Sequence, residues 1–141
     1  MRTYRRKSLT LIFLFACPLV LISCSEPQSE DSFESAIARY MEKNEFEAAF
    51  ERLDAEVAEA DSDQNVENIT QLRVQVHLAY ANYLTHEADH LGMASRMSDA
   101  LRHYRRVMQL DPDNSQAQTH IELIEGIYEQ MGRDIPEGIA D

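Results

Sequence analysis

Tryptophan is absent, glycine occurs four times and cysteine twice in 141 residues. The chain is instead rich in Ala, Glu, Leu and Arg, a composition that favours helix. No stretch alternates in a way that predicts a strand, so there is no edge strand on which an enzyme could align a peptide. The sequence contains no Gly-rich phosphate loop, no argued Ser-His-Asp order and no basic patch interleaved with aromatics. Positive charge is in deficit as well: 13 Lys and Arg stand against 25 Asp and Glu, a formal net charge of −12. A surface of that sign repels nucleic acid and anionic lipid headgroups. No nucleic-acid partner is expected, and no cofactor.

Long apolar runs are missing too, with one exception. Leu9 to Ile22 is apolar apart from Thr10 and Pro18, but it falls short of the roughly 20 residues a membrane-spanning helix needs. Arg2, Arg5, Arg6 and Lys7 precede it, and a basic start before a short apolar run predicts a secretory signal peptide over residues 1–23. Arg5-Arg6 fits twin-arginine export poorly and reads as part of a simple basic start.

Leu21-Ile22-Ser23-Cys24 resembles a bacterial lipobox, and Leu14-Phe15-Ala16-Cys17 is a poorer second match. The resemblance implies that Cys24 becomes the lipidated first residue of the mature chain. Cys17 would leave with the signal and Cys24 would be capped by lipid, so no disulfide is expected and the fold must rest on packing. The signal would remove four of the 13 basic residues and none of the 25 acidic ones, leaving nine against 25 and a net charge of −16. Such a chain reaches a membrane through acyl chains, and more than one chain gives stable anchoring. In lipoproteins of this kind an Asp after the Cys favours the inner membrane. Ser25 stands here, which implies an outer-membrane anchor facing the periplasm if the host has two membranes.

Residues 24–31, with the polar stretch "SEPQSED" from Ser25 to Asp31, predict a flexible tether. A helical domain is expected over 32–132, followed by a tail over 133–141. The first helix is predicted from about Ser32 to Lys43, capped by Asp31, with Phe33, Ile37, Tyr40 and Met41 on one face. Asn44 is expected to cap a second helix reaching Ala60, with Phe46, Ala49, Phe50, Leu53 and Val57 inward. Asp61 to Asn65 reads as a loop. A long third helix is predicted from Val66 to Leu91, closed by Gly92 in a left-handed cap. A fourth, from Ser95 to Leu110, stops at Pro112, which cannot donate the next hydrogen bond. The last, from Ser115 to Met131, is ended by Gly132 and Pro136. The fold class expected is all-α, an antiparallel stack of helix-turn-helix units in one small domain.

The stretch "ALRHYRRVMQLDPDNSQA", Ala100 to Ala117, resembles the second helix and exit turn of a tetratricopeptide repeat. Ala100, Tyr104 and Pro112 match the small, aromatic and proline positions of that family. In the same frame Leu84, Ala88 and Leu91 fall at the Trp, small and Tyr positions, so one repeat spans 81–114. A second frame over 30–63 places Phe33, Ala36, Tyr40 and Ala49 at family positions. Ile37, Leu53, Asp61 and Glu87 depart from the pattern, and residues 64–80 fall between the frames. The resemblance implies an α-α superhelix whose first helices line a groove for a partner peptide or helix. In frame the groove-facing residues are Glu34, Met41, Asn82, Thr85 and Asp89. The job implied is binding, not catalysis: an adaptor for another envelope protein or peptide.

One motif points elsewhere. His86-Glu87-x-x-His90 matches the H-E-x-x-H of zinc peptidases, in which two imidazoles one helical turn apart hold the metal and the Glu is the general base. The x position taken by Asp89 is normally uncharged. The metzincin continuation is also missing, since Gly92 comes one residue early and Arg96 stands where the third His belongs. Glu122 and Glu125 are the candidate replacements. The expectation is therefore no metal, and a zinc-dependent metallopeptidase is the alternative function. His77, His103 and His120 show no ligand spacing. The acidic run from Glu45 to Glu67 reads as a solvated face.

The lipobox reading predicts that Cys24→Ala blocks processing and abolishes uptake of labelled fatty acid by the protein. Normal acylation of that variant would show that the anchor lies elsewhere.

Overall fold

A computed structural model describes residues 32–141. The signal sequence, Cys24, the tether and Asp31 lie outside the described residues. Among the described residues the chain is all-α, with five helices: α1 Phe33–Glu42, α2 Phe46–Glu59, α3 Asp63–His86, α4 Met93–Leu110 and α5 Ser115–Gln130. No helix among them is long and apolar enough to cross a membrane.

Local chemistry sets the helix ends. Ser32, not Asp31, caps α1, its hydroxyl accepting from the Ser35 N–H. Asn44 does not cap α2 as expected. It closes α1 in the left-handed conformation at φ 58°, which Asn tolerates better than most side chains. The Glu45 N–H reaches back to the Tyr40 carbonyl and the Asn44 N–H to that of Met41, the two bonds of a Schellman end. Gly132 closes α5 in the same way at φ 60°, with Arg133 N–H bonded to Tyr128 O. The expected loop over 61–65 is partly helix, because Ser62 accepts from the Asn65 N–H and starts α3 at Asp63. Asn114 caps α5 by accepting from the Ala117 N–H.

The largest correction lies at the other end of α3. The helix stops at His86 rather than Leu91. Ala88 is drawn fully into the core against Ala81, Leu84, Ala100 and Leu101, and the chain turns there to start α4. Leu91, expected inside, is 39% exposed. Gly92 makes no left-handed cap: at φ −61° and ψ 135° it is the N-cap of α4.

Each helix packs on the next, and α1 also packs on α3. The links are short, so sequential helices run antiparallel. The core has two parts. Ile37, Phe46, Ala49, Leu53, Ile69 and Val76 join α1 and α2 to the first half of α3. Ala81, Leu84, Ala88, Ala100, Leu101, Tyr104, Val107, Ala117 and Ile124 join its second half to α4 and α5. Tyr80 and Tyr83 touch both parts, and Phe46 stacks on Tyr80 at 4.6 Å. Full burial of a Leu, Ile, Val or Phe contributes about 1.5–3 kcal/mol, so a handful of such residues per part suffices for cooperative folding. After α5 the chain folds back along α4. Arg105 donates to the carbonyls of Pro136 and Gly138, and the Ala140 N–H donates to Arg102 O.

Ala100 is fully buried where α3 and α4 meet, while Ala58 is exposed on α2. Overpacking costs about 1–3 kcal/mol and a buried unpaired charge more. Ala100→Arg should therefore lower the melting temperature sharply in a thermal melt, and Ala58→Arg should leave it nearly unchanged.

Candidate partner groove

α2 and α4 both pack on α3, and a groove of about 810 Å³ opens between them with α3 as its floor. The floor presents Val66, Thr70, Arg73 and Tyr80; one wall carries Phe50, Asp54 and Val57 from α2; the other carries His103, Arg106 and Leu110 from α4. Floor positions recur every three or four residues because those side chains share one helical face. Val57 and Val66 are 45% and 44% exposed there. Glu47, Asp99, Arg102, Ala140 and Asp141 line it too.

Two histidines sit against this groove. His77 is fully buried on α3, and its Nδ1 lies 2.9 Å from Nδ1 of His103 on α4. One ring donates and the other accepts, so the contact needs at least one neutral imidazole. Phe50 packs on both rings, at 4.5 Å from His77 and 6.0 Å from His103, and Tyr80 contacts His103 at 4.5 Å. Burial pushes His77 down to about 3, with further lowering from His103, Arg106 and Arg73. His103 is pushed down to about 4 by burial and then by Arg102. Both rings are therefore neutral near pH 7.

The arginines of the groove differ in their partners. Arg73 bonds across to Asp54 on α2. Arg102 lies 3.8 Å from Asp99. Arg106 donates to the Gln109 side chain at 2.9 Å, and its Nε–H is buried without a partner.

The five residues derived from the repeat frame lie elsewhere, and none lines this groove. Glu34 is exposed on α1, and Met41 packs against the α1–α2–α3 core. Asn82 accepts from the Tyr104 hydroxyl at 2.8 Å and from Gln116 at 3.4 Å. Thr85 donates to the Ala81 carbonyl at 2.8 Å. Asp89 is exposed and accepts from Arg96 at 2.7 Å. Sequence reasoning passed over Arg73, Arg106, His77 and His103. The available signal was His77 inside "VQVHLAY", a histidine amid a nearly continuous apolar run, where the side chain must face packing.

The H-E-x-x-H stretch does not form one helical face. α3 ends at His86, Glu87 is its C-cap, and His90 lies exposed in the following turn. The His86 ring instead meets His120 at 6.0 Å, and His120 stacks on Tyr104 at 4.8 Å. Of the candidate third ligands, Glu122 accepts from Gln118 and Glu125 pairs with Arg105 at 2.8 Å. Among the described residues no group of three or more His, Cys, Asp or Glu is placed to hold a metal ion.

Comparison with known proteins adds no assignment: no family model matches the chain, and no curated protein or solved structure is significantly similar to it.

The buried imidazoles make stability depend on pH with a defined sign. Their folded values lie below the ordinary 6.5, so the unfolded chain binds the protons more readily. Their contribution is fully present above pH 6.5 and is lost as pH falls from there toward 4 and 3. Between pH 7 and pH 5 this amounts to about 2 kcal/mol for each histidine. The excess of carboxylates acts the other way, since lower pH relieves repulsion in an acidic chain. Urea unfolding should show lower stability at pH 5 than at pH 7, and His103→Phe should flatten that difference. The same pH dependence in His103→Phe as in the parent would mean the pair is not held neutral.

Proposed function

We propose that this protein is an envelope lipoprotein, anchored through Cys24 and probing the periplasm with a tetratricopeptide-like helical domain that binds another protein. The observation that carries the reading is the groove of about 810 Å³ floored by α3 and walled by α2 and α4, with Val57 and Val66 exposed along it. Grooves between packed helices are common partner sites, and an apolar face seated there gives affinity. The helix pairing agrees with the repeat frame in specific places. Ala49, Ala88, Ala100 and Tyr104 are buried at the small and aromatic positions of the frame, and Pro112 follows directly on α4. In this reading α1–α2 and α3–α4 are two pairs and α5 caps the stack. The step from groove to envelope adaptor rests on the lipobox and repeat resemblances and on that geometry together.

Two faces compete for the partner: the α2–α3–α4 groove, and the face carrying Glu34 that the repeat frame favours. A photo-crosslinking residue placed at Val57, at Val66 and, separately, at Glu34 in intact cells tells them apart. The expected result is one envelope protein captured from Val57 and from Val66, and none from Glu34. Capture from Glu34 alone would move the site to the frame's face. No capture from any of the three would remove the adaptor reading.

A further inference from the structure

The apolar side chains that the fold leaves uncovered gather at one end of the α4–α5 hairpin. Met93, Leu123, Ile127 and Met131 are 67%, 56%, 42% and 56% exposed. Leu123, Ile127 and Met131 follow one another at four-residue spacing, so they form a stripe along one side of α5. A different side of the helix faces the core: Ala117 and Ile124 are buried there, with Ile121 and Tyr128 packed against them. Where the stripe meets the start of α4, a recess of about 250 Å³ opens, lined by Met93, Met97, Ile127 and Met131, with Arg133 among its walls.

α5 packs on α4, and no described residue covers the stripe. The outermost helix of a helical stack normally turns a polar face outward, whereas α5 turns out leucine, isoleucine and methionine. Gly126 borders the stripe in the middle of the helix, where glycine is a poor helix former. Nothing stands within 4 Å of the place its side chain would occupy, so a second helix can approach α5 closely at that point.

The stripe is complementary to itself. Leu123 and Met131 stand four residues either side of Ile127. A second copy of α5 crossing antiparallel at Ile127 sets Leu123 against Met131 of the second copy and Ile127 against Ile127, as a two-fold axis requires. The charges obey the same symmetry. Glu122 stands five residues before Ile127 and Arg133 six after it. Both are exposed, and neither forms an ion pair among the described residues. Glu122 holds only the amide of Gln118. The crossing brings Glu122 of each copy to the Arg133 end of the other, so the contact is made twice. Of Arg133 and Asp134, only Arg133 lines the recess beside the stripe. Glu125 and Glu129 lie two residues from Ile127, about 200° round the helix, and face away from the crossing; Glu125 is also held by Arg105.

We propose that α5 is a homodimer interface, in which two copies pair antiparallel through Leu123, Ile127 and Met131 with Glu122 of each facing Arg133 of the other. The stripe shares no residue with the α2–α3–α4 groove, so the pairing does not depend on the groove being the partner site. The net negative charge of the chain works against any pair of copies, and the two Glu122–Arg133 contacts offset it where the copies meet.

A residue on a two-fold axis meets itself, so one substitution tests the pairing. A short thiol crosslinker applied to the purified full chain carrying Ile127→Cys should give a covalent dimer. Val57→Cys, exposed in the groove, should give no more than the parent chain, which measures what Cys17 and Cys24 contribute. In sedimentation of the full chain, Glu122→Arg and Arg133→Glu should each weaken the dimer about tenfold or more, since symmetry applies each change twice. Mixing the two variants should restore it, because each supplies the charge the other lacks. Both positions are exposed, so the melting temperatures of the monomeric variants should show an intact fold. A parent chain that stays monomeric at every concentration overturns the proposal, as does a dimer that Ile127→Cys fails to link or a mixture of the two charge variants that does not recover. A photo-crosslinking residue at Leu123 that captures a different protein in place of a second copy assigns the stripe to that partner and overturns the homodimer.

Discussion

Helix α3 is asked to serve two cores at once. Its first half packs Ile69 and Val76 against α1 and α2, and its second half packs Ala81 and Leu84 against α4 and α5. A helix with solvent on one side needs a single apolar stripe. One shared by two hairpins must be apolar on more than one face, and Tyr80 and Tyr83, touching both cores, are where the two stripes join. The other helices are ordinary amphipathic elements attached to this spine. With no disulfide expected in the mature chain, continuity through α3 is what makes the halves one folding unit.

The groove is a consequence of the same arrangement. Two helices that pack on opposite shoulders of a third do not need to touch each other. The space between α2 and α4 is left open, and α3 shows there Thr70 and Arg73, which neither core absorbs, beside Tyr80, which packs on both. His77 lies just beneath them, fully buried, and meets both Phe50 and His103. A buried imidazole pair needs a shared proton and stays neutral at neutral pH. The stability of the α3–α4 seam is thereby coupled to pH in a protein whose surface charge pulls the other way.

Charge is distributed unevenly. Acidic residues outnumber basic ones in the chain, and among the described residues Arg52, Arg73, Arg96, Arg102 and Arg105 are held in ion pairs. The groove keeps Arg73, Arg102 and Arg106 together on adjacent faces of α3 and α4. Glu47, Asp54, Asp99 and Asp141 line the same groove, so side chains of both signs meet there.

The five-helix, all-α architecture was legible in the sequence because helical propensity, apolar spacing and turn residues agree over most of the chain. Ser115, Leu110 and Gly132 marked their boundaries by capping and proline chemistry that acts over three or four residues. The end of α3 was not legible. From Val66 to Leu91 no Gly or Pro interrupts the chain, and nothing local forbids a helix through His90. It stops at His86 because Ala88 is more stable packed against Ala100 and Leu101, a contact between residues twelve or more apart. That long-range contact also decides the fate of the H-E-x-x-H letters, which name a site only if one helix carries both imidazoles. The groove was invisible for the same reason. Arg73, His77, His103 and Arg106 are ordinary residues of two separate helices until packing brings them to one seam. Sequence alone set which segments are helical and which faces are apolar, since both are short-range properties. Which faces meet, and which charge is left without a partner, was decided only by the tertiary structure, because those depend on where the helices cross.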